Sequence, residues 1–265
     1  MTSAQLVLKG GAVSLMKPFY RCWRPNLGRE GRLNLYIYDS RYVENPGHHL
    51  RSVEILYNDL RTVFDYIEPA DDNNDVYSFR LRDLLMRICT EIEAEFKEIL
   101  SMNSYNKNSP ERWGMKDFFR LNKTHHLSSY ELQIPYWDGI CKNRVPFSSW
   151  HNQQDYEPTP WYQAYNAVKH NRFISFSEAR LSHVVDAFSG LLILLAAQFY
   201  SSTCLKPINI SFVLGDSSGY RDDYDDSIGS PFRIKRPQDW ADEEKYNFDW
   251  QDLKNTDNPF DKLPI

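Results

Sequence analysis

The chain has 265 residues, of which 42% are hydrophobic, 25% charged and 15% aromatic, and its formal net charge is −5. This composition is that of an ordinary globular protein with a large core rich in rings, and the acidic balance argues against non-specific coating of nucleic acid. The charge is uneven, with a net +4 over residues 1–47, −4 over residues 48–204 and −5 over residues 205–265. The basic stretch can contact phosphates, although a solvated face is the commoner meaning of such a stretch.

The cysteines and the apolar runs indicate the compartment. The four cysteines are more than fifty residues apart in sequence: Cys22, Cys89, Cys141 and Cys204. This spacing fits neither a zinc site nor a small disulfide framework, so we expect a reducing cytoplasmic environment, with no metal and no cofactor. No signal peptide is predicted, and the longest apolar run, residues 187–197, is about half the roughly 20 residues needed to cross a bilayer.

Residues 1–47 are predicted to be an irregular segment that contains strands. Leu33, Leu35 and Ile37 alternate with polar or aromatic neighbours, which is the period-two pattern of a strand. An Asn-Pro-Gly turn at residues 45–47 ends the segment.

Two helices are predicted next, because apolar residues recur at spacings of three and four. The first runs from about His49 to Ile67 and ends before Pro69, and the second runs from about Ser78 to Leu100. On the second helix, Glu91 and Glu95 are interpreted as part of a solvated, salt-bridged face. The alternative is that one of these carboxylates orients His170 across the bundle.

The helical signal lapses over about residues 102–158, which we interpret as a mixed insertion packed on the bundle. It contains a strand-like stretch from Tyr130 to Trp137. Adjacent histidines on regular structure point in different directions, so two pairs are interpreted as surface residues and not as a metal site. These pairs are His48 with His49 and His125 with His126.

A third and a fourth helix follow the insertion. Thr159 suits the N-cap and Pro160 the first position of a helix that reaches about Arg172. The fourth helix is predicted to begin after an N-cap at Ser177, and its wide apolar face favours a central position. Residues 205–265, with a strand-like stretch at 208–214, are expected to wrap the outside. The predicted fold is therefore mainly α: a four-helix bundle over residues 48–204, with a mixed insertion between helices 2 and 3 and short strands at both ends.

One segment carries chemistry, because residues 161–172 read WYQAYNAVKHNR. On a helix, Asn166 and His170 share a face. The neighbouring ridge holds a phenol and two cations: Tyr165, Lys169 and Arg172. Histidine exchanges protons near neutral pH, and lysine and arginine bind phosphate, so the group suits phosphodiester chemistry. The alternative is that Asn166 and His170 satisfy each other while the cations are solvated.

The four helices, with Tyr-Asn-x-x-x-His on the third and a very apolar fourth, resemble the HEPN superfamily (higher eukaryotes and prokaryotes nucleotide-binding domain). The resemblance covers roughly residues 48–101 and 159–201. Many members are metal-independent endoribonucleases of toxin–antitoxin, abortive-infection and other defence systems, and their motif is an Arg, four to six residues, then a His. In these members a polar residue often follows the Arg directly. That position falls on Asn166 here, and the His of the motif falls on His170. The Arg position falls on Tyr165, which departs from the pattern.

The resemblance implies a catalytic group of Tyr165, Asn166 and His170, with His170 transferring protons. Lys169 and Arg172 would contact the phosphate of the RNA. It further implies a homodimer, which we expect to form through helices three and four. The expected function is action on RNA, either as an endoribonuclease or as a degenerate RNA or nucleotide binder. The alternative is a non-enzymatic module for binding another protein, in which the YNAVKH segment is structural. Arg120 with His125 shows the same spacing, but lies in the insertion and is set aside.

Overall fold

The computed structural model describes residues 7–9, 12–27, 33–107, 109–152, 154–171, 173–200, 224 and 231–265. Within these residues the protein is mainly helical, with four long helices: α1 (Pro46–Phe64), α2 (Phe79–Met102), α3 (Pro160–His170) and α4 (Leu181–Phe199). Helix α2 packs against the other three, and α3 also packs against α4, so their apolar faces meet in one core. The mainly helical class is confirmed, and the HEPN type of bundle stays a prediction.

The starts of α2 and α3 follow the sequence signals, whereas the bounds of α1 and the start of α4 do not. Helix α1 begins and ends about three residues before its predicted bounds, so Pro46 and Gly47 of the predicted turn belong to its first turn. Ser78 caps α2, because its side chain accepts a hydrogen bond of 3.1 Å from the Leu81 amide. Pro160 is at the start of α3, as predicted, although the buried Thr159 hydroxyl makes no cap hydrogen bond among the described residues. The prediction for the fourth helix is wrong by about three residues. Residues 176–178 form a separate 3-10 turn, and α4 begins only after Arg180, which is in the extended N-cap conformation.

Helix α4 is the centre of the core. Sixteen of its 19 residues are buried, and 83% of its most apolar window lies inside the protein, although its length and composition would also suit a membrane span. Neighbours cover it on several sides: a Cβ added at Gly190 would lie 3.5 Å from Phe147 and 3.6 Å from Trp161. Helix α4 therefore has little exposed surface among the described residues, and the expected homodimer through the third and fourth helices stays a prediction.

The insertion packs directly on the bundle, as predicted. Its Phe118 ring stacks on Phe96 of α2 at 4.9 Å, and Trp150 lies 6.0 Å from the same ring. Strand β3 (Glu131–Gln133) pairs antiparallel with β4 (Asn143–Arg144) and with β5 (Arg233–Lys235). The insertion and the C-terminal segment therefore share one three-stranded sheet, in the order β4-β3-β5. Earlier in the chain, β1 (Val7–Lys9) and β2 (Ala12–Ser14) form a separate hairpin.

The described residues before α1 and after β5 contribute to the core, which corrects the expectation of an outer wrapping segment for residues 236–265. Tyr246 is fully buried, and its hydroxyl donates a hydrogen bond of 2.9 Å to the Cys22 carbonyl. Residues 33–38 form a 3-10 helix, so the predicted strand is wrong. The reason is that the successive residues Tyr36 and Ile37 are both buried, which a strand with one buried face does not allow. The predicted strand at 208–214 lies outside the described residues.

Candidate functional site

The predicted site residues lie along the last two turns of α3. Tyr165 is buried, with 2% of its surface exposed, Asn166 is half-buried, and Lys169 and His170 are exposed. Arg172 lies outside the described residues. The Lys169 ammonium donates a hydrogen bond of 3.1 Å to the Tyr165 hydroxyl and is 4.9 Å from the centre of its ring. This hydrogen bond raises the pKa of Lys169, so the cation stays charged and is held over the buried phenol.

His170 is open to solvent. In the described part of the chain its imidazole makes no hydrogen bond, and none joins it to Asn166. The two side chains therefore do not satisfy each other, as one interpretation of the sequence supposed. Lys169 and His170 also occupy the negative end of the helix dipole, where a cation contributes about 0.3–1 kcal/mol to stability.

The surroundings of the site include one acid and a set of exposed apolar side chains. From α2, Glu93 accepts a hydrogen bond of 2.8 Å from the Tyr162 hydroxyl, and burial together with this bond raises the pKa of Tyr162. Just beyond α3, Phe173 and Ile174 are 90% and 79% exposed. We call the following residues the apolar patch: Tyr77, Phe79, Phe173, Ile174 and Phe176. Tyr77 and Phe79 lie at the start of α2, and the other three residues lie in the segment after α3. The two groups meet where the Phe79 and Phe176 rings are 4.6 Å apart.

A buried polar cluster, which the sequence did not reveal, links four segments of the chain. Glu95 of α2 is 2% exposed, so its expected place on a solvated face is wrong. Its carboxylate accepts hydrogen bonds from Arg21 at 2.8 Å and Gln198 at 3.3 Å, and it also bonds Nδ1 of His49. Burial acts to raise the pKa of Glu95, but the His49 bond and the charge of Arg21 outweigh it, so that this pKa is lowered. Glu95 therefore does not orient His170.

The geometry of this cluster explains why it can be buried. The Arg21 Nε donates to Gln198 at 2.6 Å, and its Nη1 lies 3.2 Å from Nε2 of His49. This arrangement suits a His49 ring that donates through Nδ1 to Glu95 and accepts at Nε2 from Arg21. Each polar group thus has a partner, which is what the burial of charges requires. A signal was present in the sequence: Glu95 lies between Ile92 and Ile99 at helical spacing, on the apolar stripe.

The histidines of the insertion are also buried, which corrects their interpretation as surface residues. His125 bonds the Arg21 carbonyl through Nε2 at 2.9 Å. His126 stacks on Trp240 at 3.8 Å, and its two ring nitrogens face Asp239 at 3.1 Å and Glu244 at 3.3 Å. Both rings hold distant segments together, and no group of three metal-binding side chains occurs among the described residues.

Cys22 is a described thiol whose pKa is lowered by neighbouring basic side chains. Burial by itself would raise its pKa, but the nearby charges of His125 and Arg24 outweigh burial and lower the pKa to about 7. The thiol is fully buried and donates to the Thr124 carbonyl at 3.4 Å, and Arg24 donates to the same oxygen at 3.1 Å. Because no substrate can reach a fully buried sulfur, this cluster is structural.

A cleft of about 540 Å³ separates the end of α1 from the start of α2. Charges of both signs line it, and Arg87 is ion-paired with Asp59, so it has no dominant charge with which to attract a ligand. The exposed end of α3 therefore remains the candidate site that the sequence and the geometry share. Comparison of this chain with protein-family models, with curated proteins and with solved structures finds no match.

Proposed function

We propose that this protein binds RNA through the exposed end of α3. His170 carries the proposal: its imidazole faces solvent at a helix end, beside a charged lysine, where a packing role would have buried it. Lys169 supplies the positive charge for a phosphate, and Asn166, one turn earlier, supplies an amide for the sugar or base. The resemblance to HEPN proteins supports RNA as the ligand.

The geometry favours binding over cleavage. In catalytic HEPN proteins an Arg stabilises the phosphate, and here that position is Tyr165, whose ring is buried beneath Lys169. Among the described residues no side chain orients His170 as a catalytic partner would. Cleavage would need Arg172 or the same motif of a second copy. In a homodimer these two motifs would meet across the ends of α3, since α4 is already covered.

Restoring the family's arginine is a poor test, because Tyr165→Arg would place a long cation in the core. Direct binding is the better experiment. Fluorescence anisotropy with a mixed-sequence labelled RNA should show salt-dependent binding by the wild type. Lys169→Ala should weaken binding and reduce by about 1 the steepness with which the logarithm of the binding constant falls with the logarithm of the salt concentration. His170→Ala should weaken binding as well. Incubation of the same RNA with and without chelator, followed on a gel, tests for cleavage.

The matched control is Lys142→Ala, which removes an exposed lysine that makes no ion pair among the described residues. It should bind RNA as the wild type does. The proposal is wrong if the wild type fails to bind at low salt, or if Lys169→Ala and His170→Ala bind like Lys142→Ala.

A second candidate function is binding to another protein, and the apolar patch favours it. Exposed rings at one end of a bundle are typical of an interaction surface. If the partner is a second copy of this chain, Phe173→Ser and Phe79→Ser should reduce the size of the particle measured by light scattering, while RNA binding stays as in the wild type. A strict monomer for all three proteins at micromolar concentration would remove self-association as the role of the patch.

A further inference from the structure

A second cationic surface lies in the insertion, on a helical segment of residues 115–125. A short helix at Met115–Phe118, a 3-10 turn at Phe119–Leu121 and a short helix at Asn122–His125 follow one another without leaving the right-handed helical region. Lys116, Arg120 and Lys123 are spaced by four and three residues, so they share one face of this segment. All three are exposed, whereas His125 points into the core.

These three cations border a cavity of about 450 Å³. Its aromatic wall consists of Phe119 and Tyr156, which are half-buried and pack edge to face with their centres 5.7 Å apart. Among the described residues that line the cavity there is no aspartate or glutamate side chain. A volume of this size falls in the range of about 300–1,000 Å³ that is typical of small-molecule sites.

The three cations that border the cavity, Lys116, Arg120 and Lys123, make no ion pair with another described residue, although the chain as a whole has a net charge of −5. The neighbouring acid, Asp117, is already engaged: it accepts hydrogen bonds from Lys107 at 2.7 Å and from the Tyr105 hydroxyl at 2.8 Å. Three like charges on one face repel each other, so a bound anion would be stabilised there.

We infer that this cavity binds a nucleoside monophosphate. Its phosphate would lie among the three cations, where Arg120 offers a two-pronged donor and the lysines offer point charges. Its base would pack on the Phe119–Tyr156 wall, since every base presents a π face to an aromatic ring. A bare phosphate would make no use of the rings, and a neutral nucleoside would make no use of the cations. The site lies in the insertion and does not depend on the RNA-binding end of α3.

Isothermal titration of the full chain with AMP, GMP, CMP and UMP tests the inference. At least one nucleoside monophosphate should bind at least about tenfold more tightly than inorganic phosphate and than its own nucleoside. Arg120→Ala and Lys123→Ala should each weaken binding about tenfold or more. Tyr156→Phe, which keeps the ring, should retain the affinity, and Tyr156→Leu should lose it.

A matched control separates this site from other cationic surfaces. Lys142→Ala, with an equal loss of charge elsewhere, should bind the nucleotide as the wild type does. The inference is overturned if none of the four nucleotides binds at about 1 mM. It is also overturned if inorganic phosphate binds as tightly as they do, or if Arg120→Ala and Lys123→Ala have no effect. Nucleotide binding without RNA binding would overturn the proposed function alone.

Discussion

The buried Arg21–Glu95 pair allows a prediction of stability with a worked magnitude. Glu95→Gln keeps the shape of the side chain but removes the charge, so the Arg21 guanidinium, 1% exposed, loses the carboxylate at 2.8 Å. Removing one partner of a buried ion pair costs about 3–5 kcal/mol, against a total stability of about 5–15 kcal/mol for most proteins. With an m-value of about 3 kcal/mol per molar urea, the midpoint of unfolding should fall by about 1 M or more.

The assay is urea unfolding followed by circular dichroism, with Glu98→Gln as the matched control. Glu98 is one turn further along α2 and is exposed, so its change should lie within about 0.5 kcal/mol of the wild type. Equal unfolding midpoints for the Glu95 and Glu98 variants would refute the reasoning, because the buried pair would then contribute nothing to stability.

The pH dependence gives an independent check on the same pair. The pKa of Glu95 is lowered in the folded protein from its ordinary value of 4.5. The carboxylate therefore contributes its stabilisation above about pH 4.5, and this contribution is lost as the pH falls through the lowered pKa. The stability difference between the wild type and Glu95→Gln should be largest at neutral pH and should narrow in acid. A difference that widens in acid would contradict the lowered pKa.

Three further predictions concern the fold. Leu191→Asp should prevent folding into a soluble protein, because Leu191 is fully buried in α4 and an unpaired buried charge costs several kcal/mol; a well-folded variant by circular dichroism would show that α4 is peripheral. Gly139→Ala should lower the melting temperature, because its φ is +122° and the new Cβ would lie 2.3 Å from the Asp71 carboxyl carbon. The control Gly114→Ala meets nothing within 4 Å and should melt nearer the wild type. The pKa of Asp71 is lowered to about 2, chiefly by the Trp137 Nε1–H hydrogen bond, so its contribution to stability should be lost as the pH falls from about 3.8 to about 2. Between these two pH values, the melting temperature of Asp71→Asn should fall less than that of the wild type. An equal fall in the two proteins would contradict the lowered pKa.

The sequence by itself determined the parts of the fold that local patterns encode. Apolar residues at helical spacing located the four long helices, and Ser78 and Pro160 marked two of their starts. A helix that is apolar all round must be surrounded, so the central position of α4 was predictable. The site residues of α3 were also placed on their helix, because position on a helix follows from spacing.

Only the tertiary structure decided which polar residues are buried and which charges meet. Glu95 is compatible with either a solvated or a buried position, and its burial depends on Arg21, which is 74 residues away. Likewise, Lys116, Arg120 and Lys123 share a face by spacing, but a cavity forms only where Tyr156 packs against Phe119. The physical reason is that burying a polar group, or enclosing a cavity, depends on partners from distant segments. A local pattern records the preferences of one segment and carries no information on those partners.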